Sequence, residues 1–193
     1  MTFRSLSVTF LVLVIASNAL FAQLPTTQLS TVTPAGGTIG TTVEVTVAGA
    51  DQDDLSTLIF SHPGLVATQV STAAGEFDAI SSPVNNKFQV AIAADVPAGT
   101  YAVRAVGRFG LSSPRAFVVG TREQVVSSGS NHTLAAAQEI QGDIAIVGIT
   151  DASKRDYFKI KLAAGQRIIV ECHAQRIGSR VNSVLKILDE QGL

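Results

Sequence analysis

Few residue types able to do chemistry occur in this sequence, and they lie far apart. Cys172 and His173 form the one adjacent Cys–His pair. A thiolate nucleophile needs an imidazole facing it, and neighbours on a strand point to opposite faces. With Arg167 to Ala174 expected as a strand, Cys172 shares the side of Ile168 and Val170. The expectation is therefore a core Cys172, chemically quiet, with His173 outside. Asp51, Asp53 and Asp54 are the densest acidic cluster. Closely spaced carboxylates suit Ca²⁺, which takes oxygen ligands. EF-hand spacing fails, because the sixth position is Ser56 rather than Gly and the twelfth is His62. These three are the candidate metal ligands, set against the plainer reading of a solvated loop between strands. Arg104, Arg108 and Arg115 fall in one stretch, with only Tyr101 and Phe109 as aromatic neighbours. That is too little for a nucleic-acid stacking platform.

Other motifs are sparser still. Asn131-His132-Thr133 fits the N-glycosylation sequon, which has meaning in a eukaryotic secretory pathway. Asn131 or Thr133 equally suits the N-cap of a helical turn in Thr133 to Ile140. The sequence contains no HExxH, GxSxG, Walker loop or CxxC, and its three His share no ligand spacing. With no Trp and two Tyr, there is no aromatic platform for sugars. Tyr101 follows a turn and reads as a corner residue; Tyr157 reads as exposed. No catalytic or cofactor-binding residue is assigned, and no cofactor is expected beyond the Ca²⁺ that the acidic cluster would take.

The elements that must carry these residues are strands. Val43, Val45 and Val47 alternate with Glu44 and Thr46, the period of a half-buried strand. Strand-like pieces follow at Leu58 to Phe60, Leu65 to Val70, Phe88 to Ala93, Thr100 to Val106 and Ala116 to Val119. Turn residues divide them at His62-Pro63-Gly64, around Pro83, at Pro97-Ala98-Gly99 and at Ser112-Ser113-Pro114. Short strands so punctuated predict an all-β sandwich. Gly120 to Ser130 is short and polar, and a linker is placed at residues 121–130. Beyond it, strands are predicted at Ile144 to Ile149, Tyr157 to Leu162, Arg167 to Ala174 and Val184 to Leu188.

Composition narrows the class. The chain has 193 residues, 46% apolar and 15% charged, with a formal net charge of -1. It is too apolar for a disordered polyelectrolyte and lacks the basic excess of a nucleic-acid binder. A single Cys excludes an internal disulfide framework. Some of the apolar excess sits in residues 1–22. Arg4 precedes the run Phe10 to Ala16; Ser17, Asn18 and Ala19 follow, then Leu20, Phe21 and Ala22. This is the layout of a secretory signal peptide, with cleavage expected after Ala22. The run falls short of the roughly 20 residues that cross a bilayer. Export to the periplasm, cell surface or medium is therefore expected, with no membrane span in the mature chain.

Two resemblances rest on particular motifs. The segments TPAGGTIGTTVEVTVAG, LIFSHPGLVA and VPAGTYAVRAVGRFGLSSPRAFVV resemble an immunoglobulin-like domain of the transcription-factor and plexin (IPT/TIG) type, here residues 23–120. NHTLAAAQEI, Asp156-Tyr157-Phe158, Ala164-Gly165, Ile168 to Cys172 and Leu185 to Gly192 resemble the bacterial pre-peptidase C-terminal domain, here residues 131–193. The second match departs in having Asn182 where that family commonly has Asp. It also lacks the family's closing strands, so the unit is expected to be an incomplete jelly-roll-like sandwich, part of a longer protein. Some members of that family bind Ca²⁺; Asp143, Asp151, Asp156, Asp189 and Glu190 offer carboxylates, without a residue-by-residue match. The resemblances imply an exported, non-catalytic binding, spacing or targeting module. Its partners would be an extracellular protein or polysaccharide and neighbouring domains of a longer chain, not nucleic acid. Two other roles fit the same sequence. One is an accessory region of a secreted hydrolase whose catalytic domain lies beyond residue 193; the other is a protease inhibitor or pro-region.

Overall fold

The computed structural model describes residues 24–73, 81–150, 154–189 and 191–192. The expected signal segment, residues 1–22, lies outside the described residues. The fold is all-β, with thirteen strands and two single 3₁₀ turns among the described residues. The first nine strands are β1 (Thr31–Thr33), β2 (Gly36–Thr38), β3 (Thr42–Ala48), β4 (Thr57–Phe60), β5 (Leu65–Ser71), β6 (Pro83–Ile92), β7 (Gly99–Gly107), β8 (Gly110–Leu111) and β9 (Arg115–Gly120). They form two sheets, ordered β1-β3-β6-β5 and β2-β9-β7-β4, with β8 pairing β7.

The alternation in β3 does what its period requires. Val45 and Val47 are fully buried, while Glu44 and Thr46 face solvent. Opposite them, Phe88, Val90 and Ile92 of β6 turn inward from the same sheet. Leu58, Val103, Ala105, Phe117 and Val119 enter the same core from the other sheet. Phe60 meets Phe117 edge-on, with ring centroids 5.2 Å apart. Two sheets sharing one apolar interior make a sandwich, as the spacing of the strands predicts.

The chain passes from one sheet to the other between β1 and β2, at Pro34 and Ala35. Ala35 then accepts a backbone hydrogen bond from Val118 (2.9 Å), which sets β2 parallel to β9. Gly36 permits that approach: a Cβ there would lie 2.1 Å from the Val118 carbonyl oxygen. Tyr101 closes the far corner, its hydroxyl donating to the Pro97 carbonyl at 2.7 Å. It is a corner residue, as its place after a turn suggests.

The second unit consists of β10 (Glu123–Val126), β11 (Gln138–Ile140), β12 (Ile144–Val147) and β13 (Phe158–Ile160). β10 pairs β12 and β11 pairs β13, both in parallel. Residues 121–130, expected as a linker, thus contain a paired strand. Only Thr121 and Arg122 separate β9 from β10. The helical turn expected after Asn131 is the 3₁₀ turn Leu134–Ala136, capped by Thr133, whose side chain accepts from the Ala136 amide (3.2 Å).

Two expected strands are not formed. Arg167 to Ala174 and Val184 to Leu188 are irregular chain outside any sheet. Ile169 is 92% exposed and Ile187 75%. Their β-branched and aliphatic character suits a pleated, covered surface, and no neighbouring strand among the described residues supplies one. Cys172 is accordingly exposed rather than buried.

Candidate functional site

The acidic loop before β4 is the first place where carboxylates come close in sequence. Asp51 and Asp54 adopt left-handed backbone conformations (φ 52° and 50°), which Asp tolerates better than most residues. The loop is tied to its surroundings by backbone and amide groups. Gln52 donates to the Gln28 carbonyl (2.9 Å), and the Arg108 amide donates to the Asp53 carbonyl (2.9 Å). The Asp54 carboxylate pairs with the Arg108 guanidinium at 2.6 Å, both groups well exposed. Among the described residues, no three His, Cys, Asp or Glu side chains converge on a point where a metal could sit. Asp51, Asp53 and Asp54 form a solvated loop with one exposed ion pair, worth at most about 1 kcal/mol.

The three arginines have separate partners, two of them bonding backbone carbonyls and one a carboxylate. Arg104 donates to the Ser112 carbonyl at 2.8 Å. Arg108 holds Asp54. Arg115 donates from Nε to the Leu29 carbonyl (2.9 Å) and from Nη1 to the Gly178 carbonyl (3.3 Å). Beside Arg104, Ser112 is almost fully buried; its hydroxyl accepts from the Ala105 amide (2.9 Å) and donates to the Ser113 carbonyl (2.9 Å). These are structural uses of polar groups, repaying their burial with bonds.

Cys172 and His173 face different partners. The Cys172 Sγ lies 3.1 Å from the Ser183 hydroxyl, while the His173 ring meets the Glu171 carboxylate at 3.2 Å. The two side chains have separate partners, and since no strand forms here the alternation expected of it is not what parts them.

The densest polar cluster surrounds Asn131, which composition alone does not single out. Asn131 is 0% exposed. Its Nδ2 donates to the Tyr157 carbonyl (3.0 Å), and its Oδ1 accepts from the hydroxyls of Ser127 and Ser128, each at 3.3 Å. The Asn131 carbonyl accepts from the Tyr157 amide at 2.8 Å. Next to it, His132 Nδ1 lies 3.0 Å from the Asp156 carboxylate, both side chains about three-quarters buried. The sequon reading therefore meets a buried side chain whose amide nitrogen is already in use. Asn131 instead ties Ser127 and Ser128, just after β10, to Tyr157, just before β13.

A third feature lies where the two units meet. Gln124 donates to the Gly36 carbonyl (3.0 Å) and accepts from the Gly37 amide (3.1 Å), its amide oriented to satisfy both. The Thr38 hydroxyl donates to the Arg122 carbonyl (2.9 Å), and the Arg122 guanidinium pairs with Asp143. Thr33, Pro34, Val126, Val147 and Ile149 line a shallow apolar groove beside this seam. Among the described residues no helix is long and apolar enough to cross a membrane.

No family model matches the chain, and no curated protein matches it. Among solved structures, it is similar to SGBP-B of the Bacteroides ovatus mixed-linkage glucan utilization locus, solved in complex with a mixed-linkage heptasaccharide. That likeness has 15% identity and a TM-score of 0.35, and covers 63% of this chain and 27% of that one.

Proposed function

We propose that this protein is an exported, non-catalytic module that binds and spaces extracellular partners, holding two β units in fixed relation. Export rests on the signal-like residues 1–22. The two units are read as an immunoglobulin-like domain of the IPT/TIG type and a pre-peptidase C-terminal-type unit of a longer protein, on the motifs quoted above. The observation that carries the spacing role is the junction. β9 runs into β10 through two residues, and Gln124, Thr38 and Arg115 each bond across it. A flexible linker would let the units reorient freely; a bonded seam presents loops and sheet faces at set distances. The partner class is an extracellular protein or a polysaccharide.

Spin labels on native Cys172 and on a Thr68→Cys variant test this reading. Both sites are exposed, and Thr68 lies in the first sandwich. A pulsed electron-spin distance measurement should give one narrow distribution, broadened by Gln124→Ala combined with Arg115→Ala. A broad distribution in the parent protein overturns the spacing role. Turnover of peptide or glycan substrates by the purified chain overturns the non-catalytic one.

A further inference from the structure

We propose that the exported chain carries an N-terminal pyroglutamate formed from Gln23. The inference rests on the export reading and, within it, on cleavage after Ala22. That cut makes Gln23 the first residue of the mature chain. An N-terminal Gln holds its own electrophile, the side-chain amide carbon. Attack by the α-amine closes a lactam ring of N, Cα, Cβ, Cγ and Cδ. The step balances without a co-reactant. The α-nitrogen lone pair forms the new N–Cδ bond and the Cδ–Nε2 bond breaks. Nε2 leaves as ammonia with the proton that the α-nitrogen gives up, and nothing is oxidised or reduced. Only the neutral amine attacks. A free α-amine titrates at about 8, so roughly a tenth of it is neutral at pH 7.

The structure leaves that end free to cyclise. Leu24, Pro25 and Thr26 are exposed, Leu24 by 88%. None of the three makes a hydrogen bond to another described residue. Packing begins at Thr27 and Leu29, which are 2% and 1% exposed. The Gln28 amide then donates to the Ala50 carbonyl at 2.9 Å. The sandwich therefore grips the chain from residue 27 onward and leaves the three residues before it in solvent.

The acidic loop is the competitor for the amine. Four residues of chain span at most about 14 Å, and the loop at Asp51 and Asp53 follows Ala50, which bonds Gln28. An ion pair there would hold the amine protonated. Both aspartates are exposed, and exposed pairs bind a charge weakly. Ring closure loses ammonia and does not reverse, so a weak pair delays it without preventing it. The lactam removes the terminal positive charge. It also leaves the exposed tail without the free amine on which aminopeptidases act.

Mass spectrometry of the N-terminal peptide tests this on the full chain, expressed with its own residues 1–22 and recovered from the periplasm or medium. The peptide should begin at Gln23, be lighter by one ammonia than the uncyclised form, and resist stepwise N-terminal degradation. Pyroglutamyl aminopeptidase should restore degradation, starting at Leu24. Gln23→Ser should keep a free amine and its full mass. A synthetic peptide of residues 23–30, carried through the same work-up, should stay largely uncyclised. A peptide that begins at Gln23 with a free amine overturns the inference and leaves export standing, as does one that begins at Leu20. Equal ammonia loss in the synthetic peptide, or the same loss in Gln23→Ser, also overturns it. A chain that keeps Met1 overturns the export reading, and this inference with it.

Discussion

Asn131 offers the sharpest test of how the second unit is held, because Ala and Asp should fail there for different reasons. In Asn131→Ala the donor bond to the Tyr157 carbonyl is lost. That carbonyl is not orphaned, since it also accepts from the Gln138 amide at 3.0 Å. The Ser127 and Ser128 hydroxyls each lose an acceptor at 3.3 Å, longer than an ordinary O–H···O bond and correspondingly weak. The cost is one neutral hydrogen bond, about 1 kcal/mol, plus a similar amount for the space vacated, so about 2 kcal/mol in all. Asn131→Asp keeps the shape but places an acceptor where Nδ2 donated and adds a charge at a site with no exposed surface. At neutral pH this should cost about 3 kcal/mol or more. Burial raises the folded-state pKa of the introduced carboxyl above its unfolded value. Its stability is therefore fully present below the unfolded pKa and lost as pH rises through the folded one. Urea denaturation followed by circular dichroism measures both variants. Hydrogen exchange locates the loss, which should fall on β11 and β13 and spare β3, β6 and β9. The reasoning is refuted if Asp is tolerated as well as Ala at neutral pH, if acidification does not narrow the gap, or if the first sandwich loosens equally.

Three further outcomes follow from the packing. Phe117→Ala should cost about 3–5 kcal/mol, because a fully buried ring in edge contact with Phe60 is removed; calorimetric unfolding that shifts by less than about 1 kcal/mol would place the core elsewhere. Gly36→Ala should break the β2–β9 pairing, since the obstacle at 2.1 Å is backbone rather than a movable side chain; unchanged protection of the Val118 amide against exchange would contradict this. Cys172 should react with a thiol reagent in the folded protein as fast as an unhindered cysteine, and slow labelling would return it to a core.

How much of this was legible in sequence depended on where side-chain period and partner coincided. The Val43-Val45-Val47 alternation was readable because β3 has strands on both sides and a sheet beneath it. Alternation then decides burial directly. The same argument placed Cys172 in a core and failed. Ile168, Val170 and Cys172 carry the right period, but a strand exists only where another supplies its ladder, and period does not reveal the partner. The strand within residues 121–130 was missed for the converse reason. Thr121 to Ser130 is polar by composition, yet Val125 and Val126 pair with Ile146 and Val147, more than twenty residues away. Asn131 was visible only as a sequon or a cap, because its partners on Ser127, Ser128 and Tyr157 meet in three dimensions alone.

By itself the sequence determined the class of fold and the turns that divide its strands. These depend on local steric rules, such as alternation on a pleated strand and Gly and Pro at bends. It also determined the chemistry on offer: one Cys, scattered His and no catalytic motif. The tertiary structure decided where that chemistry went. It spent Arg104, Arg115, Ser112 and Asn131 on backbone carbonyls and amides, and left Asp51 and Asp53 in solvent. It put Ile169 and Ile187 on the surface, because burial requires a covering element and the pattern of one strand carries no information about whether that element is there.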